Sequence, residues 1–388
     1  MMPESFLDSF DFSKDLSLYI HVPFCISKCD YCAFYSVPCL PDEVLDSYTA
    51  RLVSEIDAVS RRMEGRPFVT AFIGGGNPGC LGPVRMGRIV QAVCANGRPS
   101  EFSTEMNPES LSEDYFPLFD GALTRLSMGV QSLDPAALRF LGRNADLDRT
   151  RRGLELSQKL KAFSGCDLSY DMITCLSDWH DELSDIEDIT SGYLSDHLSV
   201  YALTLEEGTP LWRRNPDLPD TDRQYEILKE IWDYLEAKGF EHYEVSNFAR
   251  HGFRCEHNCR YWAYRQYMGL GPGAASTAFS EDCRVSRISF RQSASAYAGG
   301  GLFEGFDREV LSSKEACEEL VLMGMRYKGG LDLSRAEEFS GVSVGRAIDP
   351  GFVSTLGGFH LEGEFLVPDD DGLMVADAAA STLLDRLY

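Results

Sequence analysis

The chain has 388 residues, with 61 acidic against 36 basic side chains, a net charge of −25 at pH 7 and 44% hydrophobic residues. That length and apolar content support a large buried core, divided between one large domain and a smaller one, and exclude whole-chain disorder. The negative charge disfavours phosphate backbones and anionic lipid, and no basic patch offsets it, so nucleic acid is excluded as a general partner.

In chain order, the opening MMPESFLDSFDFSKDL is acidic where a secretory peptide has a positive start. No apolar run approaches the roughly 18 residues of a membrane span, so a soluble, cytoplasmic protein without a transmembrane segment is expected. The apolar run at 16–22 predicts a first strand. Cys25, Cys29 and Cys32 follow it directly as C-x3-C-x2-C. Val44, Leu45, Tyr48, Leu52, Ile56 and Val59 then repeat near the helical period and predict one buried helix face. Strand-length apolar runs recur at 68–74, 101–106, 125–130, 168–173 and 197–203, with room for helices between them. This alternation reads as a parallel α/β sheet, open or as an incomplete barrel. A second crossover helix is expected from Thr221 as N-cap to a stop at Gly239. The glycine-rich break Ala298-Gly299-Gly300-Gly301 suggests a boundary near residue 300, giving domains 1–300 and 301–388. Beyond it, a helix is expected from about Leu311, ending by Gly329-Gly330, and a hairpin around Asp369-Asp370-Asp371-Gly372.

Twelve cysteines are too few for a disulfide scaffold in a chain this long, so a tight group of them points to metal chemistry. Three thiolates spaced as Cys25, Cys29 and Cys32 can hold three irons of a [4Fe-4S] cluster and leave the fourth iron open to a co-substrate. Zinc is the alternative, with a fourth ligand drawn from His21, Cys39 or further away. Near the C-terminal end of the large domain, His257-Asn258-Cys259-Arg260-Tyr261-Trp262 sets a histidine among aromatic residues. Such a histidine can ligate haem iron, and Cys255 and Cys259 on either side leave thiolate or zinc ligation open.

The triplet with Tyr31, the glycine stretch Gly74-Gly75-Gly76-Asn77-Pro78, Glu105-Met106-Asn107-Pro108 and Leu126-Ser127-Met128-Gly129-Val130-Gln131-Ser132 together resemble the radical S-adenosylmethionine (SAM) superfamily. The resemblance runs from about residue 16 to residue 276. It is nearest to the oxygen-independent coproporphyrinogen III oxidase group, and within that to its haem-chaperone branch, whose H-N-x-x-Y-W motif residues 257–262 fit. It implies an α/β fold, a partial (β/α)6 barrel with a smaller C-terminal α+β domain. It implies cluster ligation by Cys25, Cys29 and Cys32, and SAM contacts at Tyr19, Tyr31, Gly75, Gly76, Asn77 and Glu105. Gln131, Arg143, Asp171, Ala202 and Ala275 are implied contacts to SAM or a second ligand, and His257 to haem.

The resemblance also has departures. Asn77 stands where the family usually has Thr, Ala145 where a His follows the Arg, and Cys175-Leu176-Ser177 where G-L-P follows the Asp. The oxidases of the group add a fourth cysteine two positions after the third, which here is Phe34, and carry a longer N-terminal segment. The implied function is therefore a haem chaperone with cluster, SAM and haem, serving a haem-accepting client and needing an electron donor if SAM is cleaved. The rivals are a porphyrinogen-decarboxylating oxidase and a colourless zinc protein.

Overall fold

The computed structural model describes residues 6–177, 179–280, 284–341 and 348–387. Its centre is a sheet of twelve strands, and the first six in the chain are β1 (Ser17–Val22), β2 (Thr70–Gly75), β3 (Glu101–Met106), β4 (Arg125–Gln131), β5 (Asp167–Thr174) and β6 (His197–Ala202). These six lie side by side in chain order and pair in parallel. Beyond β6 come the antiparallel β7 (Glu241–Glu244) and β8 (Asn247–Ala249), with β8 next to β6. On the other side β9 (Tyr267–Leu270) pairs in parallel with β1, and an antiparallel run follows through β10 (Ala275–Phe279), β11 (Val285–Phe290) and β12 (Phe306–Val310). The fold is α/β, built on a large sheet whose middle is parallel.

The six expected parallel strands form within two residues of their expected ends. Buried on both faces, they read as continuous apolar runs, as parallel strands under helices must. Crossover helices cover them, first Asp42–Arg62, which buries Leu45, Tyr48, Leu52, Ile56 and Val59. The helix Thr221–Ala237 forms as expected, but its N-cap is Asp220 rather than Thr221. The Asp220 carboxylate accepts the Arg223 N–H at 2.9 Å, and the negative charge also suits the helix start.

The large sheet continues to Val310, and a second group of buried side chains, including Ala316, Leu320, Val321, Leu366 and Leu383, packs together with Tyr264, Phe279 and Val285 from the preceding part of the chain. The helix expected from Leu311 runs Ser313–Gly324, capped by a reciprocal Ser312 and Glu315 pair. The hairpin expected at 369–372 is displaced. It lies instead at Phe359–Glu362 and Phe365–Pro368, because Asp369 accepts the Gly372 N–H and starts the short helix Asp370–Met374. Arg335 fastens this region to the rest by donating to the carbonyls of Ala263 and Tyr264 at 3.0 and 3.1 Å. Among the described residues no helix is long and apolar enough to cross a membrane.

Candidate functional site

The C-terminal ends of β2 to β6 and the loop after β1 enclose a cavity of about 420 Å³. It gathers Cys25, Cys29, Cys32 and Tyr31 from the loop, and Gly75 and Gly76 from the end of β2 and just beyond. Glu105, Gln131, Asp171 and Ala202 come from the ends of β3 to β6, and Arg143 from the connection after β4. Eleven residues assigned from sequence therefore share one space, on the rim where parallel strands present loop chemistry.

Glycine is required in that wall. Gly75 has φ +112°, and a Cβ there would meet the His21 ring at 2.6 Å. A Cβ on Gly76 would stand 2.8 Å from the Phe24 carbonyl and 3.0 Å from the Cys25 sulfur. On the opposite wall, β4 carries a bulge, since Gly129 pairs with Asp171 and Gln131 with Met172, leaving Val130 as the extra residue. Gln131 sits at φ +73°, a strained conformation for a non-glycine residue that here accompanies its place in the cavity wall.

The electrostatics are uneven. Desolvation and the neighbouring Asp171 push the Glu105 carboxyl up to about 7, against one stabilising N–H from Gly75 at 3.0 Å. Desolvation raises Asp171 to about 6, although Ser127 and Ser199 donate hydrogen bonds to it. Arg143 donates from Nη2 to the Gly129 carbonyl at 2.7 Å and from Nη1 to the Cys29 sulfur at 3.4 Å. Its Nε is buried without a protein partner. A pair of half-buried carboxyls beside a guanidinium with a spare donor suits a ligand carrying both cationic and anionic groups.

The donor set fits an iron–sulfur cluster. Three thiols on one loop face the cavity, and the nearest guanidinium already donates to one of their sulfurs. Burial pushes Cys25 up to about 11 and also raises Cys32, so both hold protons at neutral pH that metal binding would displace. Among the described residues no three His, Cys, Asp or Glu groups converge on a point suited to a single metal ion. Cluster thiolates bind different irons, so they need a shared cavity rather than a shared point.

Four assigned residues lie elsewhere. Tyr19 lines a second, inner chamber of about 220 Å³, which shares Glu105, Asp171 and Tyr201 with the first, and its hydroxyl meets His21 Nδ1 at 2.9 Å. Asn77 is buried and committed to its neighbours: Oδ1 accepts the N–H groups of Gly79 and Asn107, and Nδ2 donates to Ser110. It joins the glycine turn to the Glu105-Met106-Asn107-Pro108 loop instead of lining the cavity. Ala275 is exposed at the start of β10, outside the cavity lining.

His257 lies at the opposite end of the parallel strands. The helix Glu256–Trp262 packs beneath them, with the Glu101 carboxylate accepting the N–H groups of Glu256 and His257 at 2.9 and 3.1 Å. Arg125, 2% exposed, pairs with Glu101 and Asp167 and donates to the carbonyls of Phe253 and Arg254. His257 is fully buried against Phe72, with Nδ1 2.8 Å from the Thr70 hydroxyl and Nε2 2.7 Å from the Tyr261 hydroxyl. Both ring nitrogens are occupied, and desolvation lowers its pKa to about 3. In this packing each ring nitrogen has a protein partner, Thr70 on one side and Tyr261 on the other.

Sequence reasoning missed the structural role of His21. Its Nε2 faces the Tyr35 carbonyl at 2.9 Å and must donate, so Nδ1 accepts from Tyr19 and no lone pair remains for a metal. Gly75 and Gly273 approach its ring closely, which is the signal that the glycine motifs held without naming the partner.

A sequence profile of the Radical SAM superfamily matches residues 19–188. The solved structure of coproporphyrinogen III oxidase (HemN) from Escherichia coli superposes with a TM-score of 0.74 at 20% identity, covering 95% of this chain and 90% of that one. At that identity the likeness establishes the fold alone. In sequence, the chain is 34% identical to the heme chaperone HemW of Escherichia coli over 278 residues, 70% of this chain and 72% of the relative. It is 30% identical to that of Mycobacterium tuberculosis over 388 residues, 96% and 95% of the two chains. It is 31% identical over 400 residues to the mitochondrial radical S-adenosyl methionine domain-containing protein 1 of Bos taurus, 97% and 88% of the two. The chain belongs to the HemW family of heme chaperones, within the radical SAM superfamily.

Proposed function

We propose that this protein is a haem chaperone: it holds a [4Fe-4S] cluster, SAM and haem, and transfers haem to a client protein. Cys25, Cys29 and Cys32 hold the cluster. Gly75, Gly76, Tyr31, Glu105, Gln131, Arg143, Asp171 and Ala202 surround SAM. When bound, cluster and SAM together supply one-electron chemistry, for which an external electron donor is needed. The residues of the chain bind and orient. The glycine turn lets backbone approach the ligand, the Glu105 and Asp171 carboxyls give countercharge to its sulfonium and ammonium groups, and Arg143 answers its carboxylate.

The observation that carries the haem assignment is the mouth of this cavity. Phe34, 68% exposed, lines it beside Ala33, and Lys28, also in the lining, donates to the Phe34 carbonyl at 3.0 Å. An apolar rim with a cation beside it matches a flat macrocycle bearing carboxylates. Family membership supports the same reading, and the cytoplasm is the setting proposed. The oxidase reading is disfavoured by Phe34 itself, which stands where the oxidases carry a cysteine.

The test is an anaerobic titration of cluster-reconstituted protein with haem, followed by incubation with an apo-haem protein and chromatography for porphyrinogen turnover. Haem binding and transfer without porphyrinogen decarboxylation is expected. Decarboxylation with consumption of SAM would make the protein an oxidase.

A further inference from the structure

Two cysteines that the cofactor cavity leaves unused, Cys39 and Cys80, lie together against its outer wall. Cys39 closes the short parallel ladder in which Phe24 pairs with Val37 and Cys25 with Pro38, and its N–H donates to the Cys25 carbonyl at 3.0 Å. Cys80 sits in the 3-10 turn Pro78–Leu81, which follows the glycine triplet and is capped by Asn77. The two are 41 residues apart in sequence, yet the Cys39 thiol lies 3.9 Å from the Cys80 carbonyl and the two side chains interact directly. Cys39 is exposed and Cys80 half-buried. One thiol can therefore meet a small molecule from solvent, with the other poised behind it.

We propose that Cys39 and Cys80 form a reversible thiol–disulfide pair, an oxidation site for small-molecule disulfides that ties the exit of the cysteine loop to the turn after the glycine triplet. The chemistry runs in two exchanges. Cys39 gives up its thiol proton and attacks one sulfur of glutathione disulfide, forming a mixed disulfide and releasing one glutathione thiolate. Cys80 then loses its proton and attacks the Cys39 sulfur, forming the internal bond and releasing the second glutathione. Two protein thiols are oxidised by two electrons, glutathione disulfide is reduced, and the two protons leave with the two glutathiones.

The geometry selects this pair. Cys80 also senses Cys25, but a bound cluster occupies that sulfur and leaves Cys39 as the available partner. Cys166, Cys175, Cys255 and Cys317 are buried, out of reach of a solvent-borne disulfide. Closure would fasten the two segments that carry the thiol ligands and the glycine turn. The redox state of the surroundings would then bear on the cofactor cavity without touching a cluster ligand.

The test uses the full-length, cluster-loaded chain, incubated anaerobically with glutathione disulfide, quenched with acid, alkylated, digested and read by mass spectrometry. The expected result is a peptide pair joining Cys39 to Cys80 as the dominant cross-link, reversed by dithiothreitol, with iron–sulfur absorbance retained. In Cys80→Ser the reaction should stop at a glutathione adduct on Cys39, and in Cys39→Ser the cross-link should be lost. Both thiols recovered free, separate adducts on each in the unsubstituted chain, or a Cys25 to Cys80 link with loss of the cluster would overturn the proposal.

Discussion

The two ends of the parallel strands are built on opposite principles. At the C-terminal end lie a cavity, glycines that admit no Cβ, a left-handed Gln131, carboxyls held away from their usual ionisation and an arginine with a spare donor. The N-terminal end is plugged. There Glu101, Arg125, Asp167, Thr70 and His257 spend most of their polar atoms on each other or on the helix beneath the strands. One end keeps unmet bonding capacity in its cavity, while the other, apart from the buried Arg125 Nη1, satisfies itself and carries stability.

Substitutions at each end should therefore fail differently. The largest effect expected is at the open end: Cys29→Ala should abolish iron–sulfur absorbance after anaerobic reconstitution while leaving the thermal unfolding of the cluster-free chain nearly unchanged. An intact cluster spectrum would remove Cys29 from the ligand set. At the plugged end, Arg125→Met strands the Glu101 and Asp167 carboxylates, and breaking such a buried pair costs about 3–5 kcal/mol. Urea denaturation should show that loss with the unfolding cooperativity preserved.

A smaller loss is expected for His257→Ala. It leaves the Tyr261 hydroxyl without its partner and the Thr70 hydroxyl with Ser17 alone, worth about 1–3 kcal/mol, and the Soret band of bound haem should persist. Disappearance of the band at unchanged stability would restore His257 as an iron ligand.

The smallest effect concerns pH. Glu105 and Asp171 have folded pKa values near 7 and 6, above their unfolded values, so the folded chain binds more protons there than the unfolded one. Their contribution to stability is full below the ordinary carboxylate range and is lost as pH rises from there through about 7. A ligand bringing positive charge needs the ionised forms, so SAM affinity should rise with pH across the same window, by at most about tenfold per unit for one group. Isothermal titration at several pH values checks this, and Glu105→Gln should flatten the slope. Affinity that falls as pH rises would reject the countercharge role.

The sequence revealed the open end better than the plugged one. Glycine runs, the cysteine spacing and polar residues closing apolar strands are local signals, and eleven of the assigned residues meet in one cavity. The assigned residues that fall outside that cavity are those for which local pattern gives a position but not its partner. Asn77 and His257 are polar residues in suggestive motifs, yet each is consumed by bonds to segments distant in the chain: Asn107 and Ser110 for one, Thr70 for the other. Tyr19 lies on the expected strand but lines the inner chamber, and alternation alone does not tell one cavity from the next. Asp369-Asp370-Asp371-Gly372 reads equally as turn or helix start, and the Asp369 cap decides it.

The bulge in β4 has a consequence for how related chains are compared. Val130 is a supernumerary residue, buried completely, whose presence sets the phase of everything after it in that strand. Deleting a single residue between Gly129 and Gln131 would restore regular pairing and reverse the facing of Gln131, since strand side chains alternate. In an alignment such a gap costs one column; in the molecule it would exchange a pocket residue for a core residue.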